Sequence, residues 1–208
     1  MLALDAVLLA VGVGGAHALL HHPRALGLLV VWGAGYGALA GPRRRARDPQ
    51  EQRADSRFVL AILVVVPLLT PMLSAWSERA GAWPLPGGGA LRWAGVVLAG
   101  AGLLLRVLAM RRLGARFSPV IELQRGHALE CDGVYAWLRH PGYAGACLSN
   151  LGAALAFGSA LTLPLVAMMA LATRARVARE EAALEAGFGD EYRRYRARVG
   201  RWGPLRKG

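Results

Sequence analysis

The run Phe58–Trp76 holds no charged residue and limits the chain's possible folds more than any other feature. A helix of that length is long enough to cross a hydrocarbon core of about 30 Å. Leu2–Leu20, Ala25–Gly41, Leu91–Met110 and Tyr143–Thr173 are further apolar runs, and the charges gather between them. The chain is 55% hydrophobic yet carries a formal net charge of +12. A soluble basic protein spreads its charge along amphipathic segments, so this clustering points to lipid as the solvent. Nucleic-acid binding is excluded because too little soluble sequence remains to form a basic face. A disulfide framework is excluded because Cys131 and Cys147 are the only cysteines, and no metal-type spacing is present. Cys147 lies in an apolar run and reads as packing. Ala16-His17-Ala18 has the small-x-small form of a cleavage site, but the segment before it has Asp5 in place of a basic region. Residues 2–20 are therefore expected to form a retained first helix.

His21-His22-Pro23 links the first two runs, and Gly81–Gly89 reads as a loop. Pro67 and Pro71 are tolerable in a membrane helix with packed neighbours. Trp76 and Trp83 suit an interfacial belt. Arg106, near the end of the fourth run, reads first as snorkelling to the headgroups and second as facing a polar cavity. As one helix, Tyr143–Thr173 would be roughly 45 Å long, too long for a single crossing. Gly158 and Pro164 offer break points. Arg139 precedes the run, and Arg174, Arg176 and Arg179 follow it, so a hairpin that enters and leaves on one side places every cluster alike. Arg43–Arg57, Arg111–Arg139 and Arg174–Lys207 are then cytoplasmic, with Arg24, Arg79 and Arg92 outside. The expected fold is an all-α polytopic membrane protein. It has about four transmembrane helices, a C-terminal membrane hairpin and a cytoplasmic C-terminal helix, with both termini cytoplasmic. Residues 1–90 read as scaffold and 91–208 as the functional region, with a binding segment at 120–145, the hairpin at 143–173 and a tail.

Polar chemistry is concentrated in two stretches. HALECDGVYAWLRHPGYAG, His127–Gly145, offers Gly133, Gly142 and Gly145 for close backbone approach to a ligand. Tyr135, Trp137 and Tyr143 can stack on a planar ring or face a cation. An interfacial aromatic belt followed by a turn accounts for the same composition without a ligand. RARVAREEAALEAGFGDEYRRYRARV follows from Arg174. Arg176 and Glu180 stand one helical turn apart on one face, with Glu181 beside it. A surface ion pair is the plainer reading. Tyr192, Tyr195 and the arginines around them would lie on anionic headgroups.

GVYAWLRHPGYAG, Arg-x-x-x-Glu-Glu and FGDEYRRY together resemble the isoprenylcysteine carboxyl methyltransferase family, membrane methyltransferases akin to the phospholipid N-methyltransferases. The resemblance runs from about Leu91 to the C-terminus. It implies S-adenosylmethionine (S-adenosyl-L-methionine) as methyl donor at the cytoplasmic face, with no metal. It places that cofactor against His127, Ala128, Leu129, Glu130, Tyr135, His140, Pro141, Gly142, Tyr143 and Gly145. It sets Arg176 and Glu180 at the methyl-acceptor site, with Glu181 beside them as a further catalytic candidate. Where eukaryotic members have a glutamine, Val120 stands here, with Gln124 nearby. Residue chemistry leaves the acceptor open. A carboxylate needs an arginine to orient it, such as Arg176, whereas an amine needs a base, such as Glu180 or Glu181. The resemblance favours the carboxylate of an isoprenylcysteine-like substrate over a phospholipid amine. An NADPH-dependent membrane reductase and a non-catalytic membrane protein are the other readings. Expected partners are a lipophilic or lipidated substrate and membrane lipids, with no nucleic acid. The abundance of Gly, Ala and Arg suggests a bacterial inner membrane.

Overall fold

A computed structural model describes residues 1–39, 57–114 and 129–203. Among these, the helices are α1 (Leu2–Val13), α2 (Ala16–Leu20), α3 (Pro23–Leu39), α4 (Arg57–Ala80), α5 (Gly88–Leu113), α6 (Pro141–Ala156), α7 (Leu163–Phe188) and α8 (Asp190–Arg198). A single 3-10 turn, Gly133–Ala136, precedes α6. The chain is all-helical over the described residues, as its apolar runs require.

The first run departs from expectation. It is not one helix, because Gly14 and Gly15 adopt φ of 105° and 122°. Those values lie in the left-handed region, which glycine enters at little cost and which ends an α-helix. The twelve residues of α1 extend only about 18 Å, less than a hydrocarbon core. Ala61–Ala80 and Gly88–Leu113 are the described segments long and apolar enough to cross one. Pro67 and Pro71 lie inside α4 without ending it. Val7, Val11, Val30, Val64, Val97, Leu104 and Leu171 are all exposed. So wide an apolar surface is uncommon on soluble monomers, and it is what a bilayer would cover.

The last run breaks into two helices at Phe157–Thr162. Gly158 turns there with φ of 59°, and Pro164 sits in the first turn of α7, where its missing N–H costs nothing. At the same end of the bundle, Glu78 of α4 accepts from Arg24 and Arg92 and meets His22 at 3.3 Å. Arg24 also donates to the Ala156 carbonyl at 2.8 Å. Backbone bonds from Leu85 to Gly158 and from Ala160 to Trp83 close this end. Two of the arginines assigned to the outside are therefore committed to one part-buried carboxylate.

Four glycines, not chemistry, set the distance between α5 and α6. A Cβ on Gly95 would lie 2.4 Å from Ala156 N, and one on Gly102 would lie 2.4 Å from Ser149 N. On α6, a Cβ on Gly145 would meet Gly102 O at 2.4 Å, and one on Gly152 would meet Ala99 N at 2.3 Å. The backbones touch because no side chain intervenes, a packing mode that suits helices in lipid.

Candidate active site

Pro141 opens α6 with its φ already fixed for a helix. The same first turn carries Tyr143, and α7 brings Arg176 and Glu180 against it. Arg176 Nε donates to the Tyr143 hydroxyl at 2.6 Å, and that hydroxyl donates to Glu180 Oε2 at 2.9 Å. The Arg176 guanidinium also lies over the Tyr143 ring, 5.9 Å from its centre. Arg176 is 4% exposed, which rules out the surface ion pair: the phenol joins a buried guanidinium to a part-buried carboxylate.

Glu180 and Glu181 face different surroundings. Glu180 lines a cavity, whereas Glu181 is buried among cations. His140 Nε2 lies 3.1 Å from Glu181 Oε1, as does Arg139, and Arg201 reaches both Glu181 oxygens. Burial opposes its ionisation, but the hydrogen bonds from His140 and Arg201 and the charge of Arg139 outweigh it, and its carboxyl is drawn down to about 2. The other ring nitrogen of His140 stands 4.0 Å from Glu180, so the imidazole sits between the two carboxylates. Glu181 anchors this wall and does not face the cavity.

Gly189, with φ of 53°, ends α7, and α8 folds back over the site. Tyr192 and Tyr195 are buried against Leu129, Cys131, Leu184 and Phe188. The Tyr195 hydroxyl donates to the Tyr135 carbonyl at 2.7 Å. These tyrosines therefore do not lie on headgroups; their helix turns them inward, while Arg193 and Arg196 stay exposed beside Asp190 and Glu185. Arg112, at the end of α5, donates to Glu130 and Asp132 and fixes the segment before α6. Burial, then the Glu180 and Glu130 carboxylates, push the Tyr135 phenol well above its usual range, so it stays a neutral donor.

These groups surround a cavity of about 520 Å³, within the usual size range of small-molecule sites. One end is polar and aromatic, lined by Glu130, Tyr135, His140, Tyr143, Arg176, Glu180 and Tyr195. The other runs between the membrane helices past Trp32, Leu63, Leu103 and Met169.

The structure brings most of the expected residues together. Leu129, Glu130, Tyr135, His140, Gly142, Tyr143, Arg176 and Glu180 all line the cavity. Pro141 is buried as the helix start and does not line it. Gly145 packs on Gly102, and Gly133 serves a turn with φ of 59°; neither lines the cavity. Trp137 is 68% exposed and lies off the cavity. His127, Ala128, Val120 and Gln124 fall outside the described residues. Arg106 does not snorkel: it lines the cavity and donates to the Gly142 carbonyl at 3.1 Å. The apolar first half also contributes Asp5, Trp32 and Tyr36 to the lining. An acid inside an uncharged run was the available signal, since such a residue is costly in lipid.

Residues 93–186 match the model of the isoprenylcysteine carboxyl methyltransferase (ICMT) family. The chain is 36% identical over 101 residues to protein-S-isoprenylcysteine O-methyltransferase of Schizosaccharomyces pombe, covering 47% of this chain and 43% of that protein. It is 34% identical over 122 residues to the protein of the same name from Rattus norvegicus, covering 55% and 42%. The chain thus spans less than half the length of these curated relatives. Among solved structures it resembles the eukaryotic intramembrane Ras methyltransferase ICMT, with a TM-score of 0.65 at 21% identity, over 96% of this chain and 73% of that one. This last likeness establishes the shared fold.

Proposed function

We propose that this chain, whose residues 93–186 match the model of the isoprenylcysteine carboxyl methyltransferase family, is a member of it and transfers the methyl group of S-adenosylmethionine to the carboxylate of a lipophilic, isoprenylcysteine-like acceptor. The observation that carries this reading is the Arg176–Tyr143–Glu180 linkage in the polar end of a cavity whose other end is apolar. An amphipathic acid lies naturally along such a cavity, with its charged group at the linkage and its chain among the membrane helices.

The residues present suit the cofactor. Glu130 and Glu180 supply carboxylates, and Tyr135, Tyr143 and Tyr195 supply aromatic faces, a set that favours a cation bearing a planar ring. Leu129, His140 and Gly142 complete that wall. When bound, S-adenosylmethionine supplies an electrophilic methyl group on a positively charged sulfur. The chain's own part is positioning. Arg106, Arg139 and Arg176 place three guanidinium groups on the lining, which supports an anionic acceptor over an amine. A carboxylate is already ionised near neutral pH, so no base is needed, and Glu180 holds the Tyr143 phenol and Arg176 in register. Leu184, Phe188, Tyr192 and Tyr195 close the polar end and keep water from the reacting groups. We read the helices as crossing the membrane with the polar end on the cytoplasmic side, where the arginine clusters lie.

Calorimetry on the detergent-purified protein tests the cofactor assignment. S-adenosylmethionine should bind saturably, and His140→Ala should weaken that binding at least about tenfold. A well-folded protein that binds NADPH and not S-adenosylmethionine would transfer the reading to a reductase.

A further inference from the structure

Asn150 lies on α6, in the apolar half of the molecule, and is 4% exposed. Among the described residues neither its amide nitrogen nor its amide oxygen has a hydrogen-bond partner, and both belong to a side chain lining the cavity. A buried amide leaves its hydrogen bonds unmade only at a cost, so an unpaired one in the wall of a ligand cavity points to a ligand group that pairs with it. A second observation agrees. Asp5 of α1 lines the same cavity at 5% exposure, hydrogen-bonded to Tyr36 through one oxygen, with Oδ2 unpartnered among the described residues. The mechanism above uses neither side chain. An acceptor with a plain hydrocarbon tail would leave both facing methylene groups.

Asn150 stands seven residues after Tyr143, two turns along the same face of α6. The axial separation is about 10.5 Å. An extended chain advances about 1.2 Å per bond, so the two positions are about nine bonds apart. An amide offers a donor and an acceptor, and a hydroxyl, which both donates and accepts, complements it.

We propose that the inner end of the cavity is a specificity site for an oxygenated lipid acid. The acid's carboxylate lies at Tyr143 and Arg176, and a hydroxyl group about nine bonds along its chain pairs with Asn150. The proposal rests on the acceptor reading given above and adds the substrate's second polar group.

The test uses the full-length protein in detergent and three probes: octadecanoic acid, 10-hydroxyoctadecanoic acid and 2-hydroxyoctadecanoic acid. Binding is followed by intrinsic tryptophan fluorescence, since Trp32 lines the cavity. The 10-hydroxy acid should bind about 10- to 100-fold more tightly than the unsubstituted acid, and the 2-hydroxy acid should show no such gain. In Asn150→Leu, which keeps the volume and removes the amide, the 10-hydroxy and unsubstituted acids should bind alike. Equal binding of all three acids by the wild type would overturn the specificity site and leave the acceptor reading standing. A preference that survives Asn150→Leu would overturn the role of Asn150. Binding of none of the acids by a folded protein would overturn this proposal and leave the isoprenylcysteine-like acceptor reading to its own methylation test.

Discussion

Replacing Gly152 with alanine adds one methyl group at the tightest point between α5 and α6. The new Cβ would lie 2.3 Å from Ala99 N, 2.6 Å from Gly95 O and 2.8 Å from Ala99 Cα. All three are backbone atoms, so no rotamer can relieve the contact. Restoring ordinary separation requires the helices to part by about 1 Å over a close-packed seam, and overpacking of this kind costs about 1–3 kcal/mol or more. Alanine's better helix propensity returns up to about 1 kcal/mol. The net loss of about 1–2 kcal/mol corresponds to a fall in Tm of roughly 2–8 °C for a chain of this size. Gly37→Ala in α3 is the control, because nothing lies within 4 Å of its added Cβ; it should leave Tm unchanged or raise it. The assay is thermal unfolding of both variants in one detergent. A Gly152→Ala protein as stable as Gly37→Ala would refute the reasoning that backbone contact sets the position of α6 and of Tyr143 upon it.

Three further outcomes are expected. Tyr143→Phe keeps the ring and removes the hydroxyl between Arg176 and Glu180, so kcat/KM for methyl transfer should fall about 10- to 100-fold, and a change below threefold would argue against the linkage. Glu181 has a folded value of about 2 against an ordinary 4.5, so its contribution, on the order of 3 kcal/mol, is present above pH of about 4.5 and is lost as the pH falls toward 2. Tm measured across that window should drop for the wild type and stay flatter for Glu181→Gln, and parallel curves would contradict the anchor. Tyr195→Phe deletes one buried hydrogen bond to the Tyr135 carbonyl and should cost about 1 kcal/mol, with faster amide exchange in the segment Leu129–Leu138 than in α4.

The sequence discloses those parts of the molecule that follow from solvent and charge. The hairpin is readable because Arg139 and Arg174 bracket one apolar run too long for a single crossing, and the structure turns at Gly158, as the arginines require. The first run misleads because hydropathy counts Gly14 and Gly15 as apolar and ignores their left-handed backbone. The contrast between Glu180 and Glu181 is invisible in a string, since adjacent helical residues differ by about 100° and only packing decides which one meets Arg201. Tyr192 and Tyr195 read as surface residues because arginines surround them, yet their spacing of three places both on one inward stripe. The glycines at 95, 102, 145 and 152 carry a seven-residue spacing that is plain in the sequence. Its meaning as a backbone seam emerges once α5 and α6 are seen to pair.

Methyl transfer to a prenylated cysteine is the decisive measurement. The purified protein is incubated with methyl-labelled S-adenosylmethionine and an N-acetylated S-isoprenylcysteine, and the label recovered as base-labile ester is counted. The account predicts ester formation by the wild type, with a loss of at least about a hundredfold in Arg176→Ala. A folded wild type that forms no ester, or an Arg176→Ala protein as active as the wild type, would contradict it.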